Sequence, residues 1–170
     1  MNEPFEKGVN AGLHVGNVLA AQRDSDQPGA TFRAVEAAMG ATIGHKLFTI
    51  LVHRPELAQA ERVHSTRPDA YPVGGSRPAG EFPLKRRLVV EGEAYIGRDA
   101  GDLREAFSDH DQIFALGCES VLNMPVRWRG QTLGAVNLLH EAYWYSEADV
   151  PLARLFAQLA LPAILLIARP

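Results

Sequence analysis

The stretch from Gly117 to Leu139, GCESVLNMPVRWRGQTLGAVNLL, constrains the fold more than any other part of this 170-residue chain. Two apolar runs, residues 120–128 and 131–140, flank a short Arg129-Gly130 break. Apolar strand formers on either side of a glycine-containing break predict a β-hairpin. A charged, aromatic segment follows. After it comes Ser146-Glu-Ala-Asp149, the signature of a capping box, and then Leu152, Leu155, Phe156 and Leu159 on one helical face. Pro162 is expected to kink that last helix or end its first section.

Upstream, residues 5–22 carry apolar side chains among Gly8, Gly12 and Gly16, which predicts a weak helix. A break at residues 24–29 leads into Phe32, Val35, Ala38, Met39 and Ile43 at helical spacing, with Gly44 ending that helix. Residues 45–53, HKLFTILVH, form a nearly continuous apolar run and predict a central strand stopped by Pro55. Residues 61–66 predict a second strand, and 67–80 are rich enough in Gly and Pro to read as loop. Leu84 and Leu88 predict a short helix from Pro83, residues 94–97 a short strand, and residues 102–116 one helix. Hairpin-joined strands with helices grouped at the ends imply an antiparallel sheet in an α/β sandwich.

Composition excludes several functions. The net charge of -3 gives no basic field for nucleic acid. Cys118 is the single cysteine, so neither an intrachain disulfide nor a Cys-rich metal site can form. His14, His45, His53, His64 and the His140-Glu141 pair lack metal-ligand spacing, so no metal site is expected. The N-terminus lacks a basic start followed by an apolar run, and the longest uncharged apolar run, residues 159–168, is shorter than the ~20 residues a bilayer span needs. A cytoplasmic protein without membrane contact is expected.

With these elements in place, the chain resembles a GAF domain. The resemblance rests on Ser120-x-Leu-x-x-Pro125, the turn, Leu133-Gly-Ala-Val-Asn-Leu-Leu139, and Tyr145-x-x-x-Asp149 opening the last helix. It implies a three-layer α/β (α+β) sandwich with a central antiparallel sheet of about six strands and flanking helices. Residues 28–170 would form the domain, and residues 1–27 a helical segment packed on it or on a dimer partner. GAF domains bind cyclic nucleotides, bilins, haem, amino acids or nothing known, so the fold leaves function open.

The enzymatic branch of that family reduces free methionine-R-sulfoxide with a thiolate, resolving cysteines and substrate-holding carboxylates. Aligned on Pro125 and Gly134, those acidic positions fall on Val121, Asn137 and Leu139, and the nucleophile falls near Phe114. Cyclic-nucleotide-binding members often carry Asn-Lys and Phe-x-x-x-Asp-Glu. Here Asn137-Leu138 and Tyr145-x-x-x-Asp149-Val150 stand there, so the Lys–Asp pair of that pattern cannot form. Bilin attachment usually takes Cys-His, and Cys118 precedes Glu119.

Candidate ligand-binding residues are Tyr71, Arg104, His110, Val121, Asn123, Asn137 and Leu139. Tyr71 sits in a Pro- and Gly-stiffened loop that reads either as a cavity wall or as an edge loop. Arg104 and His110 lie on the segment that the resemblance places over the pocket, or on a solvated helix face. Asn123 and Asn137 are either ligand contacts or buried amides satisfied by backbone. They share a face only if the hairpin turn has odd length, such as three residues around Gly130. A two-residue Arg129-Gly130 turn sends them to opposite faces. The expected function is a stand-alone domain that binds a small polar ligand as a sensor or accessory regulator, leaning away from catalysis, with its cofactor unknown and a homodimer formed through the terminal helices. The alternatives are a diverged sulfoxide-reducing redox enzyme and a dimerisation module without a ligand.

Overall fold

The computed structural model describes residues 5–57, 59–78, 84 and 86–168. Its centre is a six-stranded antiparallel sheet in the order β3-β2-β1-β6-β5-β4. The strands are β1 (Leu47–Arg54), β2 (Gln59–Ser65), β3 (Ser76–Pro78), β4 (Tyr95–Gly97), β5 (Ser120–Trp128) and β6 (Gln131–His140). The short β3 lies inside the segment expected to be loop. It forms because Ser76 to Pro78 pair with Glu61 to Gln59 along the open edge of β2.

Helices α1 (Ala11–Ala21), α2 (Gly29–Thr42), α5 (Val150–Leu159) and α6 (Leu161–Ile167) cover one face of the sheet. Phe32, Val35 and Met39 of α2 and Phe156 of α5 meet Phe48, Ile50, Leu122, Met124, Val136 and Leu138 there. These strand residues alternate with those facing the other way, as the period of two requires. Truncating a buried aromatic such as Phe156 to alanine typically costs ~3–5 kcal/mol. α5 and α6 meet at a 45° bend at Ala160, where Pro162 sits in the first turn of α6 and cannot donate into a continuous helix.

The capping residues behave as the sequence predicts, with one addition. Ser146 N donates to the Asp149 carboxylate at 2.8 Å, so the capping box forms. Lys7 Nζ also reaches the same carboxylate at 2.9 Å. The ion pair that Leu138 rules out within the family pattern is therefore made by a lysine from the N-terminal segment.

Residues 102–116 do not form a single helix. α3 (Ala100–Ala106) starts where Asp99 Oδ1 accepts from Gly101 N and Asp102 N, and it stops at Phe107, whose backbone is extended. α4 (His110–Ala115) then begins afresh. Of the short helix expected from Pro83, Leu84 is helical and Arg86–Glu91 form a π-helical segment; Pro83 itself lies outside the described residues.

Candidate functional site

The sheet face away from α2 and α5 meets α3, α4, the Tyr71 loop and the π-helical segment, and these line a half-open cavity of about 400 Å³. Its floor is built from alternate residues of β1, β5 and β6: Leu47, Thr49, Leu51, Val121, Asn123, Ala135, Asn137 and Leu139.

The register of the β5–β6 hairpin decides what that floor presents. The turn has two residues, Arg129 and Gly130, both at positive φ (49° and 78°) as a tight hairpin turn of that type needs. Trp128 faces Gln131 and Arg127 faces Thr132, yet Val126 faces Gly134. Leu133 is thus an extra residue, a bulge that shifts the pairing by one. Beyond it, Asn123 lies directly opposite Asn137 and both face the cavity. The two-residue turn by itself would have separated them, and the bulge restores the shared face. Two further contacts secure this point. Gln158 of α5 accepts from Arg127 N at 3.1 Å and donates to Arg127 O at 2.6 Å, satisfying backbone groups where the ladder shifts. Gly134 lets β1 come close, because a Cβ there would lie 2.3 Å from Leu51 O.

A polar row crosses three neighbouring strands. Thr49 pairs with Asn137, and Asn137 with Asn123. Asn123 Nδ2 donates to Asn137 Oδ1, and Asn137 Nδ2 donates to Thr49 Oγ1 at 3.1 Å. Asn123 is 5% exposed, and its Oδ1 is buried with no hydrogen-bond partner among the described residues.

Around this row the wall is largely hydrocarbon, with Leu84, Leu88, Val89, Ala106, Phe107 and Ile113 opposing the sheet. Thr132 Oγ1 donates to Leu88 O at 2.8 Å and Arg127 Nη1 donates to Val89 O at 3.3 Å, so the hairpin holds the π-helical segment against the cavity. Arg62 of β2 brings a guanidinium to the wall. It donates to Pro72 O at 3.1 Å and lies over the Tyr71 ring, 4.9 Å from its centroid. The Tyr71 hydroxyl donates to Asp109 Oδ2 at 3.0 Å, which fixes the loop against the start of α4.

Of the residues singled out from sequence, Tyr71, Val121, Asn123, Asn137 and Leu139 line the cavity, and Arg104 and His110 do not. The break at Phe107 is the reason. It turns Phe107 into the cavity wall, while Arg104 and His110 flank Phe114 elsewhere, at 5.1 Å and 5.6 Å from its ring centroid. Thr49, His53, Arg62 and Thr132 also line the cavity and went unrecognised in the sequence. A polar Thr49 inside an apolar strand was the available signal. For Arg62 there was none, since a register shift in the β1–β2 pairing leaves Val63 between the paired residues and sets which side chains face inward.

Cys118 is fully buried in the core around the cavity, though it is not one of the residues lining it. Burial pushes its thiol up to about 11, against the lowering effect of Lys46 and Arg67. At neutral pH it is a protonated, enclosed thiol, the opposite of an activated nucleophile. No group of three or more His, Cys, Asp or Glu side chains that could hold a metal occurs among the described residues.

The GAF-domain family model matches residues 18–164. The chain belongs to the GAF family. Solved structures similar to this GAF domain include that from an Acinetobacter phosphoenolpyruvate-protein phosphotransferase, with a TM-score of 0.71, 15% identity, and coverage of 91% of this chain and 92% of that one. A domain of a two-component sensor histidine kinase protein from Sinorhizobium meliloti has a TM-score of 0.61 and 16% identity, over 81% and 91% of the two chains. Free methionine-R-sulfoxide reductase from Neisseria meningitidis, solved with its substrate, has a TM-score of 0.67 and 10% identity, over 96% and 95%. At these identities the likeness is one of fold. No curated protein matches the chain. No single described helix is long and apolar enough to cross a membrane.

Proposed function

We propose that this GAF domain binds a small molecule in the cavity between its sheet and α3–α4, and acts as a non-catalytic sensor or accessory regulator. The observation that carries this reading is a cavity of about 400 Å³ floored by a polar row that ends in a buried carbonyl oxygen without a partner among the described residues. A collapsed structural core would fill such a space with hydrocarbon, whereas binding sites pair apolar walls with a few placed polar groups. A redox enzyme is disfavoured because the floor holds Val121, Asn137 and Leu139 in place of the reductase's acids, and because Cys118 is a buried, protonated thiol off the cavity. The sensor role is in keeping with the phosphotransferase and sensor-kinase proteins whose domains resemble this one.

Thermal denaturation against a metabolite library tests the proposal. A true ligand at 100 times its Kd adds ~2.7 kcal/mol, which raises Tm by roughly 5–10 °C in a domain of this size. Ala135→Phe, which puts a ring on the cavity floor, should abolish the shift while far-UV circular dichroism stays native. A library without a single stabilising compound would count against ligand binding.

The same domain is proposed to pair with a second copy through its terminal helices, in a reducing cytoplasmic setting that suits an unpaired cysteine. Leu13 and Leu19 of α1 and Leu155, Leu165 and Leu166 of α5 and α6 are exposed apolar side chains on those helices. Light scattering after size exclusion checks this: a mass of one chain at micromolar concentration rules the dimer out.

A further inference from the structure

The polar row has a direction. Donation runs from Asn123 to Asn137 to Thr49, so its two ends present different chemistry. Asn123 Oδ1 at one end is an acceptor without a partner among the described residues. At the other, the Thr49 hydroxyl has accepted a hydrogen bond and keeps its own proton to donate. Leaving a buried carbonyl unpaired is destabilising, and a ligand donor removes that cost.

We infer that the cavity selects a mainly apolar molecule that presents an N–H or O–H donor to Asn123 Oδ1, of the lactam, anilide or phenol type. This rests on the ligand-binding reading of the same cavity. Thr49 and Asn123 stand two strands apart, roughly 10 Å at ~4.8 Å per strand, so an acceptor at the far end of the molecule would meet the Thr49 hydroxyl.

The test is a panel of matched aromatic compounds whose binding to the full chain is measured by ligand-observed NMR. Each donor-bearing parent, such as 2-quinolinone, is compared with its N- or O-methylated counterpart, here 1-methyl-2-quinolinone. Parents should bind at least ten-fold tighter than their methylated counterparts. Asn123→Leu should erase the parent-to-methyl ratio while leaving the methylated compounds unchanged. If that variant does not fold, the wild-type ratio decides alone. Methylated compounds that bind as tightly as the parents overturn the inference and leave the ligand-binding reading standing. So does a panel that fails to bind beside library compounds that do. Failure of both the panel and the library removes both readings.

Discussion

Asn137 and Asn123 occupy similar positions on the cavity floor but carry unequal structural weight. Asn137 both accepts from Asn123 and donates to Thr49, while among the described residues Asn123 makes one side-chain bond and its oxygen none. Asn137→Leu should therefore cost about 2 kcal/mol, because it strands polar atoms on both neighbouring strands, and Asn123→Leu about 1 kcal/mol or less. Urea midpoints of the two variants check the order, and equal losses would mean that the row is not a connected chain. Cys118 provides a second check at this scale. With its thiol pushed up to about 11 by burial, it should resist a thiol reagent at pH 7.5 in the native state and react within minutes in urea. Rapid native labelling would show an open path to it. Both asparagines stood out in the sequence as polar residues in apolar strands. Thr49 carried the same signal unrecognised and Arg62 carried none, because one strand read alone gives alternation but not which face meets the cavity.

Single residues with no chemistry of their own control the elements. Gly134 is needed because Leu51 O occupies the place a Cβ would take. Gly134→Ala should cost at least about 4 kcal/mol, whereas Gly130→Ala, strained only by its φ of 78°, should cost about 1 kcal/mol. Wild-type stability in Gly134→Ala would mean that β1 and β6 do not approach as described. At the start of α5, Asp149 serves both the capping box and Lys7. Asp149→Ala should cost about 2 kcal/mol and the half-exposed Lys7→Ala clearly less, since screening weakens the lysine's share. The turn at Arg129-Gly130, the capping box and the Pro162 break were all legible, because each depends on neighbours a few residues away. The bulge at Leu133 was not, since a bulge is a relation between two strands. Nor was the break at Phe107, where helical spacing continues through a residue whose side chain is drawn into the cavity wall.

At the scale of the whole molecule, one sheet separates two apolar cores, a helix-covered one and the other built around the cavity. Titratable groups buried on both sides set the pH range of stability. Burial lowers His45 and His140 from their ordinary 6.5, so the unfolded chain binds more protons there and stability falls as pH drops through that range. Cys118 is raised from 9.0 to about 11, so its contribution is complete below 9.0 and is lost as pH climbs through 11, by up to about 3 kcal/mol. Burial raises Tyr145 too, and it adds to the loss in the same direction. Urea midpoints from pH 5 to 11 should show a plateau with two falling limbs, the alkaline limb shallower in Cys118→Ala; an unchanged slope in that variant would contradict the assignment. By itself the sequence determined the hairpin, the central strands, the end helices and the family, because alternation, caps and turn residues act over short distances along the chain. Tertiary structure alone decided which face the asparagines share, which charge reaches the cavity wall and which lysine serves Asp149. Those outcomes depend on contacts such as Lys7 with Asp149, 142 positions apart, and Gln158 with Arg127, 31 apart. Contacts that distant form only once packing has brought the strands and helices together, so no local pattern along the chain encodes them.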